Sequence, residues 1–222
     1  MVRADFDRNL KTLQDDLIAL GSMVENAIAK SMNALETQDL EASRRVVSDD
    51  DLIDRKRFQL EDQCIDLIAT QQPLAIDLRT LLSVLHIAVE LERMGDYAEG
   101  IGKISLMMGD DPPVIKPLIH IPRMAEKALS MLQRSLDALI NRDAAAAVAV
   151  CNDDDEVDDL YDRVYRDLLV HMSRDPASIQ RATYLLWVAH DLERIADRAT
   201  NIAEQVIFLV TGKLTAAKSF KP

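Results

Sequence analysis

Four pairs of acidic residues, each with a spacing of four, are the candidates for chemistry in this sequence. They are Asp50 with Asp54, Glu92 with Asp96, Asp154 with Asp158, and Glu193 with Asp197. Residues four apart on an α-helix lie on one face, with Cβ atoms about 5–6 Å apart. Each pair can therefore present two carboxylates to the same ligand. Oxygen donors of this kind favour hard cations such as Mg²⁺, Mn²⁺ or Ca²⁺, and iron also fits a polynuclear carboxylate cluster.

Helical geometry places two of these pairs in line with an apolar stripe. If Leu85 marks the centre of the stripe, Glu92 lies about 20° to one side and Asp96 about 20° to the other. Leu186 stands in the same relation to the pair that follows it. Carboxylates in such positions lose hydration and repel one another, so they must be protonated, pair with Arg or Lys, or bind cations. We therefore predict metal sites; the alternative is ordinary surface acids assisted by the neighbouring arginines.

The remaining pairs belong to a different helix of each half. Asp50 and Asp54 lie toward the start of the preceding predicted helix, whereas Glu92 and Asp96 lie past the middle of theirs. Antiparallel packing at an interaxial distance of about 8–10 Å would bring two such pairs face to face. The sequence does not fix this register. The prediction is one four-carboxylate site per half.

The chain is an internal duplication. Residues 90–101 and 191–202 are identical at six of twelve positions, and the segments upstream align at an offset of 104 instead of 101. Apolar residues in steps of three and four predict three helices per half, at about 5–36, 39–69 and after Pro73, then 123–141, 143–172 and 177–210. Asp39 is the predicted N-cap of the second helix. We expect an all-α protein of two tandem three-helix bundles, spanning residues 1–109 and 123–222, joined by a proline-rich linker at 110–122.

Composition excludes several classes of function. The chain has 222 residues and a net charge of −12, which disfavours nucleic acid as a partner. It has no apolar run near the roughly 20 residues that cross a bilayer and no secretory signal, so we expect a cytoplasmic protein without membrane insertion. It contains no Glu-x-x-His, P-loop or nucleophile-elbow motif, and we expect no enzymatic activity.

Two motifs carry a resemblance to a known family. Residues 91–96 read Leu-Glu-Arg-Met-Gly-Asp, and residues 192–197 read Leu-Glu-Arg-Ile-Ala-Asp. These resemble the two signature motifs of the PhoU family, and residues 72–79 resemble the loop before that family's third helix. The tail of the second motif has Asn201, whereas the first has Gly100 at the matching position. The likeness covers nearly the whole chain.

The resemblance implies a function and a set of partners. Members of the family act as negative regulators of the phosphate-starvation response, connecting the ATPase of the phosphate ABC transporter to a sensor histidine kinase, and are generally homodimers. They bind metal clusters through the motif acids, here Glu92, Asp96, Glu193 and Asp197. Candidates on the facing helices are Asp50, Asp54, Asp154 and Asp158. The ion is divalent or trivalent, and Mg, Mn, Fe, Zn and Ca all remain open.

Two other hypotheses compete with a non-enzymatic regulator. A carboxylate-metal hydrolase or oxidase would use the same acids to activate water, but the sequence offers no general base for it. A metal-free scaffolding bundle would leave the acids solvated.

Overall fold

The computed structural model describes residues 2–109 and 120–213, and within these ranges it contains helices and no strand. The helices are α1 (Val2–Thr37), α2 (Leu40–Gln71), α3 (Ile76–Met108), α4 (His120–Asn141), α5 (Ala144–Asn152), α6 (Asp154–Arg174) and α7 (Ile179–Thr211). A 3-10 turn, Pro176–Ser178, precedes α7. The expectation of an all-α fold is confirmed. None of the described helices combines the length and the apolar character needed to cross a membrane.

The turns after α1 and α4 show the duplication at the level of single residues. Gln38 has a φ of 56°, and Arg142, at the matching position, has a φ of 50°. The next residue caps the following helix in both halves. Asp39 accepts a hydrogen bond from the backbone N–H of Ala42 at 2.9 Å, and Asp143 accepts one from the N–H three residues on at 3.0 Å. The predicted N-cap at Asp39 is confirmed, and it satisfies a backbone donor that the first turn of a helix leaves free.

The expectation of one helix over 143–172 is wrong, because this segment divides at Asp153. The N–H of Asp153 donates to the carbonyl of Val150 at 3.0 Å, and the N–H of Glu156 donates to the carbonyl of Asp153 at 3.1 Å. These bonds span three residues, which tightens the helix locally. Lys127 and Arg134 of α4 both form ion pairs with the Asp153 carboxylate. The carboxylate at the break is therefore paired with cations from another helix.

Most of the expected linker lies outside the described residues, namely 110–119. The last three residues of the expected range are helical, because α4 begins at His120. Pro122 lies in the first turn of this helix, where the N–H that proline lacks would have no helical acceptor.

The centre of the molecule is built from α3 and α7. These helices pack against each other, and each also packs against the other helices of its own half; α1 and α4 provide a further contact between the halves. Leu91 and Ile101 of α3 and Leu192 and Ile202 of α7 have no exposed surface. Both halves therefore share one apolar core, and the acidic motifs lie on its two central helices.

Candidate functional site

The tightest acidic cluster lies between α2 and α3. Asp50, Asp54 and Asp96 each contribute a carboxylate oxygen, and these oxygens all lie within 4.8 Å of one another. Gly95 permits the helices to approach closely at this point. A Cβ atom at Gly95 would lie 3.1 Å from the side chain of Ile53 and 3.2 Å from Oδ1 of Asp50. The absence of a side chain at residue 95 thus helps to set the distance between facing carboxylates.

The cluster is electrostatically strained in the absence of a cation. Burial, followed by the neighbouring charges of Asp96, Glu99 and Asp54, raises the pKa of Asp50 to about 6, although Lys103 lowers it in part. The pKa of Asp96 is also raised, by burial first and by Asp54 next. Arg93 and Lys103 lower the pKa of Asp96 and so offset part of the repulsion. The three side chains of the cluster nevertheless offer only carboxylate oxygens to a ligand. This arrangement fits a hard cation, which would neutralise the charges and replace the lost hydration.

Glu92 lies beside the three-carboxylate cluster but is not part of it. Burial raises the pKa of Glu92, followed by the charge of Asp96, while Arg57 of α2 lowers it. Sequence reasoning missed Glu99, which lies close enough to raise the pKa of both Asp50 and Asp96 and forms an ion pair with Lys103. Its position three residues after Asp96, on the same side of the helix, is the signal that would have indicated it.

The matching residues of the second half also converge, between α6 and α7. Burial raises the pKa of Glu193, and the charges of Asp197, Asp158 and Asp154 raise it further. This quartet contains its own cation, because Nη1 of Arg194 lies 3.0 Å from Oδ2 of Asp197 and Nε lies 3.6 Å from Oε2 of Glu193.

A further difference follows from the position that matches Glu99. In the second half this residue is Thr200, whose hydroxyl lies 3.3 Å from Oδ1 of Asp154. The second half therefore has a hydroxyl group where the first half has the Glu99 carboxylate. Within residues 2–109 and 120–213, the first quartet alone contains three ligand oxygens within 4.8 Å. The role of all eight predicted acids as metal ligands stays a prediction.

Two residues in the tail of the second motif, Arg198 and Asn201, connect the two halves. Nδ2 of Asn201 donates to Oε2 of Glu90 at 3.0 Å, and Nη1 of Arg198 donates to the same oxygen at 3.1 Å. On the matching side, a Cβ atom at Gly100 would lie 3.0 Å from Oδ2 of Asp191. Burial raises the pKa of Asp191 to about 7. The replacement of Asn by Gly in the first motif therefore affects the contact between halves.

The comparisons with known proteins agree with the motifs. The family model described as the PhoU domain matches this chain twice, over residues 17–105 and 121–206. The chain belongs to the PhoU family. The resemblance seen in the motifs is confirmed, and the two matches confirm the expectation of two repeats.

Relatives match along nearly their whole length. A protein from Clostridium acetobutylicum, named as a phosphate-specific transport system accessory protein PhoU homolog, is 40% identical over 216 residues, which are 96% of this chain and 97% of the relative. A protein of the same name from Caulobacter vibrioides is 36% identical over 208 residues, 94% of this chain and 90% of the relative. The crystal structure of PhoU from Pseudomonas aeruginosa superimposes with a TM-score of 0.90 at 32% identity, covering 94% of this chain and all of that one. PhoU from Streptococcus pneumoniae gives a TM-score of 0.86 at 30% identity, covering 95% and 99%.

Proposed function

We propose that this protein is the accessory protein of a phosphate-specific transport system and a negative regulator of the phosphate-starvation response. In this role it connects the ATPase of the phosphate transporter to a sensor histidine kinase when phosphate is plentiful. The observation that carries the proposal is the similarity, over nine-tenths or more of both chains, to relatives that are named as accessory proteins of such systems. We further propose that it acts in the cytoplasm as a homodimer, binding its partners and catalysing no reaction.

The carboxylate clusters give this role a physical basis. We propose that Asp50, Asp54, Glu92 and Asp96 hold divalent or trivalent cations between α2 and α3. Asp154, Asp158, Glu193 and Asp197 are the matching ligands between α6 and α7. A cation in the first cluster would bridge two helices that otherwise repel each other through their acids, fixing the surface that α2 and α3 present to a partner.

Deletion of the gene in its own host tests the regulatory role. With ample phosphate, the deletion strain should express phosphate-starvation genes that the parent strain represses, as measured by a transcriptional reporter or secreted phosphatase activity. Reintroduction of the wild-type gene should restore repression. Unchanged reporter expression in the deletion strain at high phosphate would contradict the regulatory role.

Metal analysis of the purified protein tests the ligand assignment. The variant in which Glu92, Asp96, Glu193 and Asp197 are all changed to Ala should lose bound metal, as measured by inductively coupled plasma mass spectrometry. The control changes Asp62 and Asp66 to Ala, because this pair has the same spacing on α2 but is exposed. Equal metal content in both variants would reject the ligands, independently of the deletion result.

A further inference from the structure

Two neighbouring groups of aromatic side chains form a strip on α6 and α7. The aromatic strip consists of Tyr161, Tyr165, Tyr184, Trp187 and His190. The ring centroid of Tyr161 lies 6.4 Å from that of Tyr165 and 6.3 Å from that of His190. The ring centroids of Tyr184 and Trp187 are 5.6 Å apart. Trp187 and His190 are three residues apart on α7, which places the two groups of rings on the same side of this helix.

The strip leaves large apolar surface in contact with solvent. Trp187 is 49% exposed, and Tyr165 is 44% exposed, as is Leu169 one turn further along α6. Tyr161 and Tyr184 are partly buried and pack against the core, which holds the exposed rings in place. Rigid, half-exposed aromatic residues that lie together are typical of the energetic centre of a protein interface.

The fold does not require these rings, because the first half of the chain builds the same helices without them. The residues at the matching positions of the first half are Arg57, Glu61, Ser83, His86 and Val89. None of them is a tyrosine or tryptophan. The duplication therefore supplies an internal comparison, in which the tyrosines and the tryptophan occupy these positions in the second half alone.

Negative charge borders the strip. Nδ1 of His190 lies 3.8 Å from Oε2 of Glu193, and the carboxylates of Glu193 and Asp162 both lie close enough to Tyr161 to raise its pKa, after the larger effect of burial. Arg194 lowers this pKa in part and pairs with Glu193, so Asp162 is the acid of this border to change in a test. The whole chain carries a net charge of −12. Exposed aromatic faces beside carboxylates attract guanidinium and ammonium groups through cation–π and ionic interactions.

We propose that the aromatic strip is the docking surface for the ATPase of the phosphate transporter, which would present arginine side chains among apolar residues to it. This inference rests on the proposed function, from which the partner is taken. The acidic border selects a basic partner surface, and Trp187 is the expected anchor of the interface.

The single tryptophan of the chain allows the contact to be observed directly. Full-length protein labelled with 5-fluorotryptophan should give one ¹⁹F resonance, which should shift or broaden when the unlabelled ATPase of the same host is added. In calorimetric titrations, Trp187→Ala and Tyr165→Ala should each weaken binding at least tenfold, and Asp162→Lys should weaken it less. The control is Phe58→Ala, which removes a 55% exposed aromatic ring from α2 and should leave affinity unchanged. Circular dichroism checks that each variant is folded.

The outcomes separate this inference from the proposed function. If the ATPase binds wild-type protein and all four variants equally, the aromatic strip is not the docking surface, while the proposed function stands. If the ATPase does not bind wild-type protein, the coupling proposed above fails and the strip's assignment fails with it. If Trp187→Ala converts a dimer into a monomer in light scattering and leaves ATPase binding intact, the strip is a contact between two copies, which also overturns the inference.

Discussion

Replacing Asp50 by Asn should stabilise the metal-free protein at neutral pH. The change keeps the shape of the side chain but removes one charge from a cluster whose members repel one another. Burial and the charges of Asp96, Glu99 and Asp54 raise the pKa of Asp50 from 3.8 to about 6. The folded state therefore binds this proton more tightly than the unfolded state does, and ionisation above the folded pKa favours unfolding.

The magnitude follows from this shift in pKa. A difference of about two pH units corresponds to about 3 kcal/mol at 1.36 kcal/mol per unit. Asp50 is only partly buried, so water screens part of the effect, and we expect Asp50→Asn to raise the free energy of unfolding by about 1–2 kcal/mol at pH 7.5. The free energy of unfolding of the wild-type protein falls as the pH rises from about 4 to about 6, because Asp50 loses its proton more readily in the unfolded chain. Below pH 4 the acid is protonated in both states, and the gain should disappear.

Urea unfolding in the presence of a chelator, at pH 7.5 and at pH 4, measures the effect. The control is Asp51→Asn, which changes an exposed acid at the next position of the same helix. Saturating Mn²⁺ should reverse the order, because a cation that binds only the folded state stabilises the wild type more than a variant with one ligand fewer. An equal or lower stability of Asp50→Asn at pH 7.5 without metal would refute the reasoning.

Three further changes test other contacts. Gly95→Ala should lower the free energy of unfolding by about 1 kcal/mol and weaken metal binding, because the new Cβ atom would lie 3.1 Å from the Ile53 side chain. A variant that is more stable than the wild type in urea would contradict this prediction. Asn201→Ala should lower the free energy of unfolding by about 1–2 kcal/mol, since it removes a hydrogen-bond donor to Glu90. Thermal unfolding measures this loss, and an unchanged Tm would argue against the contact. Asp191→Asn should raise the free energy of unfolding of the protein by about 2 kcal/mol at pH 8 and by almost nothing at pH 4. The reason is that burial raises the pKa of Asp191 to about 7, so the wild type loses stability as pH rises from 4 to 7; a gain that does not depend on pH would count against that cause.

The periodicity of the sequence predicts much of the fold, because each helix buries one apolar face. Leu81 and Leu91, for example, lie on the buried side of α3. The cap at Asp39 also follows from residue type alone. The break at Asp153 does not. The ion pairs at this residue come from Lys127 and Arg134 of α4, and the register of α4 against α5 and α6 is a tertiary property.

Part of the difference between the two acidic clusters can be read from the sequence, since Thr200 replaces Glu99 at the matching position. The ion pairs of Arg194 with Glu193 and Asp197 could not be predicted, although Arg93 occupies the same position of the first motif. Which carboxylate an arginine reaches depends on the packing of its own surroundings. The link from Glu90 to Asn201 joins residues more than a hundred positions apart, a distance over which helical periodicity carries no information.

Anomalous diffraction from crystals grown with Mn²⁺ tests the central claim most directly. Data collected at the manganese edge should show a peak within bonding distance of the carboxylates of Asp50, Asp54 and Asp96, and this peak should be absent from crystals of Asp96→Ala. An electron-density map with manganese elsewhere on the protein, or with those three carboxylates bonded only to water, would contradict the claim that a cation holds α2 and α3 together.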